Sequence, residues 1–131
     1  FGLTRDTSDY DIVRATLESV SFQCRDLMEC MNRDGAPLTR LRVDGGMVKN
    51  SWLIQNLADV LQLKVDRPNN IETTALGAAY FAAIGANLVS GVDEVAEKWE
   101  LDRQFSPSMH PELADEMYLG WVNAVKRTLA R

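Results

Sequence analysis

Apolar residues recur at spacings of three and four through Val13, Leu17, Val20, Cys24, Leu27 and Met31. One such face predicts a long helix over roughly 9–32. Ser8 is a good N-cap, and Asp11 follows three residues on, close to a capping box. Asp34-Gly35 stops the helix and Pro37 prevents its return. Leu38 to Val43 alternates apolar and basic positions, the pattern of a short strand, and runs into Asp44-Gly45-Gly46. Trp52, Leu53, Leu57, Val60 and Leu61 then mark a second helix, roughly 50–62. Leu63 to Asp66 reads as a second short strand, and Arg67-Pro68-Asn69-Asn70 as a turn. A strand–helix–strand run this short is a βαβ unit, so its strands are expected to be parallel and adjacent. A third helix, roughly 72–86, is rich in Ala and Gly, and small side chains let a helix lie close to another backbone or to a ligand. Val92 to Lys98 reads as a short helix and Trp99 to Phe105 as an extended segment. The last helix starts at Pro111, a favoured first position. Glu112, Asp115 and Glu116 lie near its start and Lys126, Arg127 and Arg131 near its end, in agreement with the helix dipole.

The element set is α/β, with a short parallel βαβ core flanked by long helices. Three regions follow: the long helix (1–36), the strand–helix–strand–helix core (37–90) and a C-terminal helical extension (91–131). The 131 residues bound the chain to one domain or a large piece of one. Two or three strands are few for this much helical surface, since sheets this small are marginal. Further strands of the layer are therefore expected upstream of Phe1. Phe1-Gly2-Leu3-Thr4 carries no initiator Met and no signal-peptide pattern, which agrees with a longer chain.

Fourteen basic against nineteen acidic residues give a net charge of -5. That argues against nucleic acid or an anionic membrane as partner, because both need a basic footprint. No apolar run is long enough to span a bilayer. Cys24 and Cys30 sit six apart on one helix, so a disulfide between them is not expected, and reduced thiols suit the cytoplasm. Both are expected in the core of that helix. A lone His110 does not make a zinc site and reads as an exposed cap residue. Trp52, Trp99 and Trp121 read as core or domain-edge packing.

The chemistry-bearing spot is Asp44-Gly45-Gly46, between a strand and a helix. A Gly pair lets backbone approach a ligand closely, and helix N–H groups suit phosphate or a ribose edge. The carboxyl end of a parallel strand is where α/β sheets bind ligands. Asn50, one turn on, could hydrogen-bond a sugar or base edge. A Gly pair between strand and helix is nevertheless more often turn chemistry. The pattern fits neither the dinucleotide fingerprint nor a P-loop. Asp44 reads first as a turn residue bonding local backbone N–H groups, and Lys49 as solvent-facing.

Two motifs in register change the picture. Leu41-Arg42-Val43-Asp44-Gly45-Gly46, with Asn50, Gln55, Ala58-Asp59, Val65, Arg67-Pro68 and Glu72 to Tyr80, resembles the glycerol kinases. Gly2-Leu3, Asp11-Ile12 and Ala15-Thr16-Leu17-Glu18 resemble the second signature of the FGGY carbohydrate kinases. The tail, with Gly120-Trp121 and Ala124 to Arg127, is similar to glycerol kinase C-termini. Asp6, Ala83, Asn87 and Val89 depart from that pattern, and Met47 and Lys49 are bulkier than the usual residues after the Gly pair.

The resemblance implies a ribonuclease-H-like domain of the actin-like ATPase fold, here the later part of the second of two domains. It implies ATP and glycerol as substrates, Mg2+ held mainly by an N-terminal domain outside this chain, and a homo-oligomer for the full-length protein. Gly45 and Gly46 would give backbone contacts to the adenosine side of the nucleotide, and Asn50 a side-chain contact. The segment from Glu72 to Ala79 would pack beside that pocket, its small residues letting the helix sit against the sheet. Catalytic residues would lie outside the chain, so the chain alone is expected to be inactive. Another FGGY sugar or polyol kinase, and a degenerate non-enzymatic module, are the alternatives.

Overall fold

Ser8 and Asp11 cap the first helix reciprocally. The Ser8 hydroxyl accepts from the Asp11 N–H, and the Asp11 carboxylate accepts from the Ser8 N–H at 2.9 Å. The computed structural model describes residues 1–130 of the chain. Helix α1 spans Asp9–Arg33. Its buried residues, Ser21, Phe22 and Met28, are not the face that spacing predicts. Val13 and Leu27 are exposed, Leu27 at 64%. The reason is that α1 packs against two other helices, so its contacts are split between two faces. Cys24 is half-buried, but Cys30 is exposed and its sulfur accepts from Arg33, which corrects its core assignment.

Strand β1 (Arg40–Arg42) leads through the Gly pair and a 3-10 turn (Gly46–Lys49) to α2 (Ser51–Leu61) and β2 (Lys64–Pro68). β1 and β2 are parallel, with Leu41 opposite Val65, as the βαβ reading requires. β2 runs two residues further than predicted, through Arg67 and Pro68. Local turn residues are overridden there by β3 (Leu101–Phe105), which pairs antiparallel to β2 and places Val65 opposite Phe105. The ladder is irregular between Arg67 and Pro68, where a residue without an N–H is tolerated. The sheet order is β1-β2-β3.

α2 supplies most of the core. Ile54, Leu57, Ala58 and Leu61 pack with Val48, Val65, Phe105 and Met28. Its last carbonyls would be orphaned in an isolated helix. Here Gln62 caps them in the left-handed region (φ 53), with its N–H on the Ala58 carbonyl and its side chain on the Asp59 carbonyl at 2.7 Å. Arg25 of α1 covers the Val60 carbonyl at 3.2 Å.

Helix α5 (Pro111–Leu129) has Pro at its start, Glu112 in its first turn, and Lys126 and Arg127 in its last. Arg131, expected at its end, lies outside the described residues. His110 holds the N-cap position, exposed and beside Glu112. α5 docks on α1 through Trp121, which stacks on Phe22 with ring centroids 5.7 Å apart. Asp26 accepts from Tyr118 Oη at 2.7 Å and Trp121 Nε1 at 2.8 Å. Burial, and then that bond to a carboxylate, pushes the Tyr118 phenol up to about 12.

α3 (Thr73–Gly85), unlike the other long helices, buries none of its residues against the described chain. Its apolar residues are spread around the whole helix, and a Cβ added at Gly77 meets nothing within 4 Å. The expected close seat on the sheet is therefore not made among the described residues. α4 (Val92–Ala96) is a single short turn before β3.

Candidate functional site

β1 ends at Arg42, but the parallel pairing continues for one bond, from the Val43 N–H to the Asp66 carbonyl at 3.1 Å. The chain then turns at Gly45, whose φ of 85 and ψ of 173 belong to a region that only glycine enters readily. A Cβ built on Gly45 or Gly46 meets no heavy atom within 4 Å, so open space lies above both. That is the geometry of a backbone able to receive a ligand closely.

The helix does not follow the Gly pair directly, in agreement with its expected start near residue 50. A 3-10 turn intervenes, closed by the Val48 N–H on the Gly45 carbonyl at 3.2 Å, with Val48 buried in the core. Asn50 is the N-cap of α2. Its Oδ1 accepts from the Trp52 N–H at 3.0 Å and the Leu53 N–H at 3.3 Å. This uses the acceptor end of the side chain and leaves the amide Nδ2 as a donor toward solvent or ligand.

The loop is pinned at both ends. On the near side, the Gly45 N–H donates to the Ile71 carbonyl at 3.1 Å, and the Asp44 carboxylate accepts from the Thr73 hydroxyl at the start of α3. Asp44 thus bonds a side chain 29 residues away rather than local backbone, which corrects the turn-residue reading. On the far side, Arg67 Nη1 donates to the Val48 carbonyl and the Ser51 hydroxyl, each at 3.1 Å. Arg67 Nε meets Asp102 of β3 at 2.6 Å, and the guanidinium lies 5.3 Å from the Phe105 ring centre. Arg67 and Thr73 stand in the sequence motif, but these roles are not legible there, because their partners are distant in the chain.

An open cleft of about 840 Å³ lies alongside. Lys49, Asn70, Thr73, Tyr80, Lys98 and Trp99 are among its walls, while Gly45, Gly46 and Asn50 are not. Lys49 is exposed and borders the cleft. Trp99 packs beneath the Arg42 guanidinium at 4.2 Å, an edge-packing role, and Trp52 is 44% exposed. No group of three or more His, Cys, Asp or Glu side chains among the described residues could hold a metal ion. None of the described helices is long and apolar enough to cross a membrane.

The profile of the FGGY family of carbohydrate kinases, C-terminal domain, matches residues 1–86. "Glycerol kinase 1" of Pseudomonas aeruginosa is 51% identical over 127 residues, 97% of this chain and 26% of that protein. A glycerol kinase of Coxiella burnetii is 50% identical over 129 residues, again 26% of its length. The chain thus spans about a quarter of the curated relatives it matches. Plasmodium falciparum glycerol kinase, solved with ADP, superposes with a TM-score of 0.81 at 30% identity, covering 100% of this chain and 26% of that one. The xylulose kinase of Rhodospirillum rubrum superposes at 0.76 with 29% identity, covering 98% of this chain and 26% of that one.

Proposed function

The chain belongs to the FGGY family of carbohydrate kinases, and on that premise we propose that it is the C-terminal lobe of an ATP-dependent glycerol kinase. The full-length protein would transfer the γ-phosphoryl group of ATP to the 3-hydroxyl of glycerol, giving sn-glycerol 3-phosphate and ADP. The observation that carries this reading is identity of about half to glycerol kinases along nearly the whole chain, including its tail.

In this reading the loop from Asp44 to Asn50 is the adenosine side of the ATP site. Three features support it. Gly45 and Gly46 sit under open space, Asn50 keeps a free amide donor, and the loop is fixed from both ends before any ligand arrives. A fixed loop binds without losing conformational entropy. The chain's contribution is to hold and orient the nucleotide as two domains close on the substrates. Mg2+, the phosphates and glycerol would be held mainly by the N-terminal domain, as the resemblance to the glycerol kinases implies. The 131 residues alone would transfer no phosphoryl group, and the full-length protein would act in the cytoplasm as a homo-oligomer.

A polyol panel on the full-length protein tests the reading. Preferred phosphorylation of glycerol with ATP is the expected result. Preference for a pentulose would move the protein to another FGGY kinase, a reading the xylulose kinase superposition favours over an unrelated fold. Absence of turnover with every polyol would leave a degenerate nucleotide-binding module. Met47, bulky and 56% exposed beside the Gly pair, is the feature that favours that outcome.

A further inference from the structure

We infer that Arg67, held by Asp102, is a positioning residue for the nucleotide loop, so that the segment beyond residue 86 takes part in ATP binding. The inference rests on the reading of residues 44–50 as the nucleotide loop.

The loop leaves polar groups for a neighbouring strand to bind. Its 3-10 turn is four residues long and leaves the Val48 carbonyl without an intrahelical partner in the turn that follows. Ser51 opens α2, next to the capping Asn50. One guanidinium nitrogen, Nη1 of Arg67, bonds both groups, one on each side of Asn50. Arg67 therefore sets where Asn50 stands and how the Gly45–Gly46 backbone is presented. A lysine ammonium on a flexible stem could not hold the same two partners while also meeting a carboxylate through a second nitrogen.

The guanidinium is itself constrained. It is largely buried, with a side-chain exposure of 15%. Its Nε is fixed on Asp102, and Phe105 lies against it. Both belong to β3, which lies outside the residues matched by the family profile. The chain of contacts runs from the β3 carboxylate through the β2 guanidinium to the loop backbone. Each link is a charge-assisted hydrogen bond of good length. No atom of Arg67 need touch the nucleotide.

The test uses the full-length protein with Arg67→Met, Arg67→Lys, Asp102→Asn and the Arg67→Met/Asp102→Asn double variant. Steady-state constants for ATP and for glycerol are measured on the folded fraction of each. KM for ATP is expected to rise on the order of tenfold in Arg67→Met, the size of one lost charged hydrogen bond, while KM for glycerol holds. Asp102→Asn should give a smaller rise, and the double variant should be no worse than Arg67→Met, because both act through one chain of contacts. Arg67→Lys should recover only part of the loss. Unchanged KM for ATP in Arg67→Met and Asp102→Asn, with only a lowered melting temperature, overturns the inference and leaves Arg67 a stabilising residue. Additive effects in the double variant overturn the route through Asp102. An unmodified protein that binds no ATP sinks the functional reading itself, an outcome distinct from a working kinase whose variants keep their KM.

Discussion

Asp59 of α2 accepts a hydrogen bond from the Ser108 N–H at 2.6 Å, which ties the approach to α5 back onto the core helix. The same carboxylate oxygen takes the Met109 N–H at 3.1 Å and Gln55 Nε2 at 3.0 Å. Gln55 in turn reaches the Ser106 carbonyl at 2.9 Å. The two residues act as one clamp on the turn between β3 and α5. Asp59 is itself buried at 7% exposed, while Ser108 is exposed and Met109 and Gln55 are half-buried.

Asp59→Ala should therefore destabilise the protein by about 2 kcal/mol, because several hydrogen bonds to one charged acceptor are lost together. Asp59→Asn, which keeps an acceptor oxygen without the charge, should cost less. Amide exchange at Ser108 and Met109 is the direct measurement, and it should accelerate in the alanine variant ahead of the rest of the chain. Exchange unchanged at those two amides would remove the clamp from the account.

Much of the fold was legible in local pattern, and what was not shares one cause. The Ser8–Asp11 box, the parallel βαβ unit and Pro111 at the head of α5 all rest on short-range chemistry. Pro68 in β2, the Asp44–Thr73 bond and the Arg67–Asp102 pair depend on segments that meet only after folding. The inward face of α1 was misread for the same reason. Its apolar residues serve two neighbours, so a one-stripe template selected Val13 and Leu27, which are exposed. Asn50 was legible as a polar residue at the right place. Its capping geometry required the exact start of α2, and boundaries are what propensity fixes least.

In the proposed reading Asn50 has two jobs at its two ends, and substitution can separate them. Aspartate is an equally good N-cap, so Asn50→Asp should leave the melting temperature nearly unchanged. It replaces a donor with a negative oxygen, so affinity of the full-length protein for ATP should fall on the order of tenfold. Asn50→Ala loses the cap as well and should cost about 1 kcal/mol of stability in addition. Calorimetric titration with ATP beside a thermal melt decides the matter. Equal ATP affinity in Asn50→Asp and the unmodified protein would confine Asn50 to capping.

Tyr118 makes the α1–α5 contact sensitive to alkali. Its phenol is raised from an ordinary 10.0 to about 12 by burial and by its bond to Asp26. A raised pKa means that the folded state holds the proton more tightly than the unfolded one. The contribution to stability is thus fully present below about 10 and is lost as pH rises through about 12. Tyr118→Phe should be less stable at neutral pH, having lost the bond, yet lose less stability across that alkaline window. Denaturation curves at several pH values, with tyrosinate absorbance as a second probe, give the comparison. Parallel losses in both proteins would count against the linkage.

The two glycines of the loop allow fold and ligand to be told apart. Gly45 has a φ of 85, so Gly45→Ala should cost about 1–3 kcal/mol of backbone strain or force the loop to move. Loss of ATP affinity there would be ambiguous, because the loop itself changes. Gly46 is not in the positive-φ region, and its missing Cβ would meet nothing within 4 Å. Gly46→Ala should therefore fold as well as the unmodified protein. If the nucleotide lies close above this backbone, the added methyl occupies that space and ATP affinity falls while the melting temperature holds. A Gly46→Ala protein with undiminished ATP affinity would place the nucleotide elsewhere. The cleft bordered by Lys49 and Thr73 would then be the next place to look.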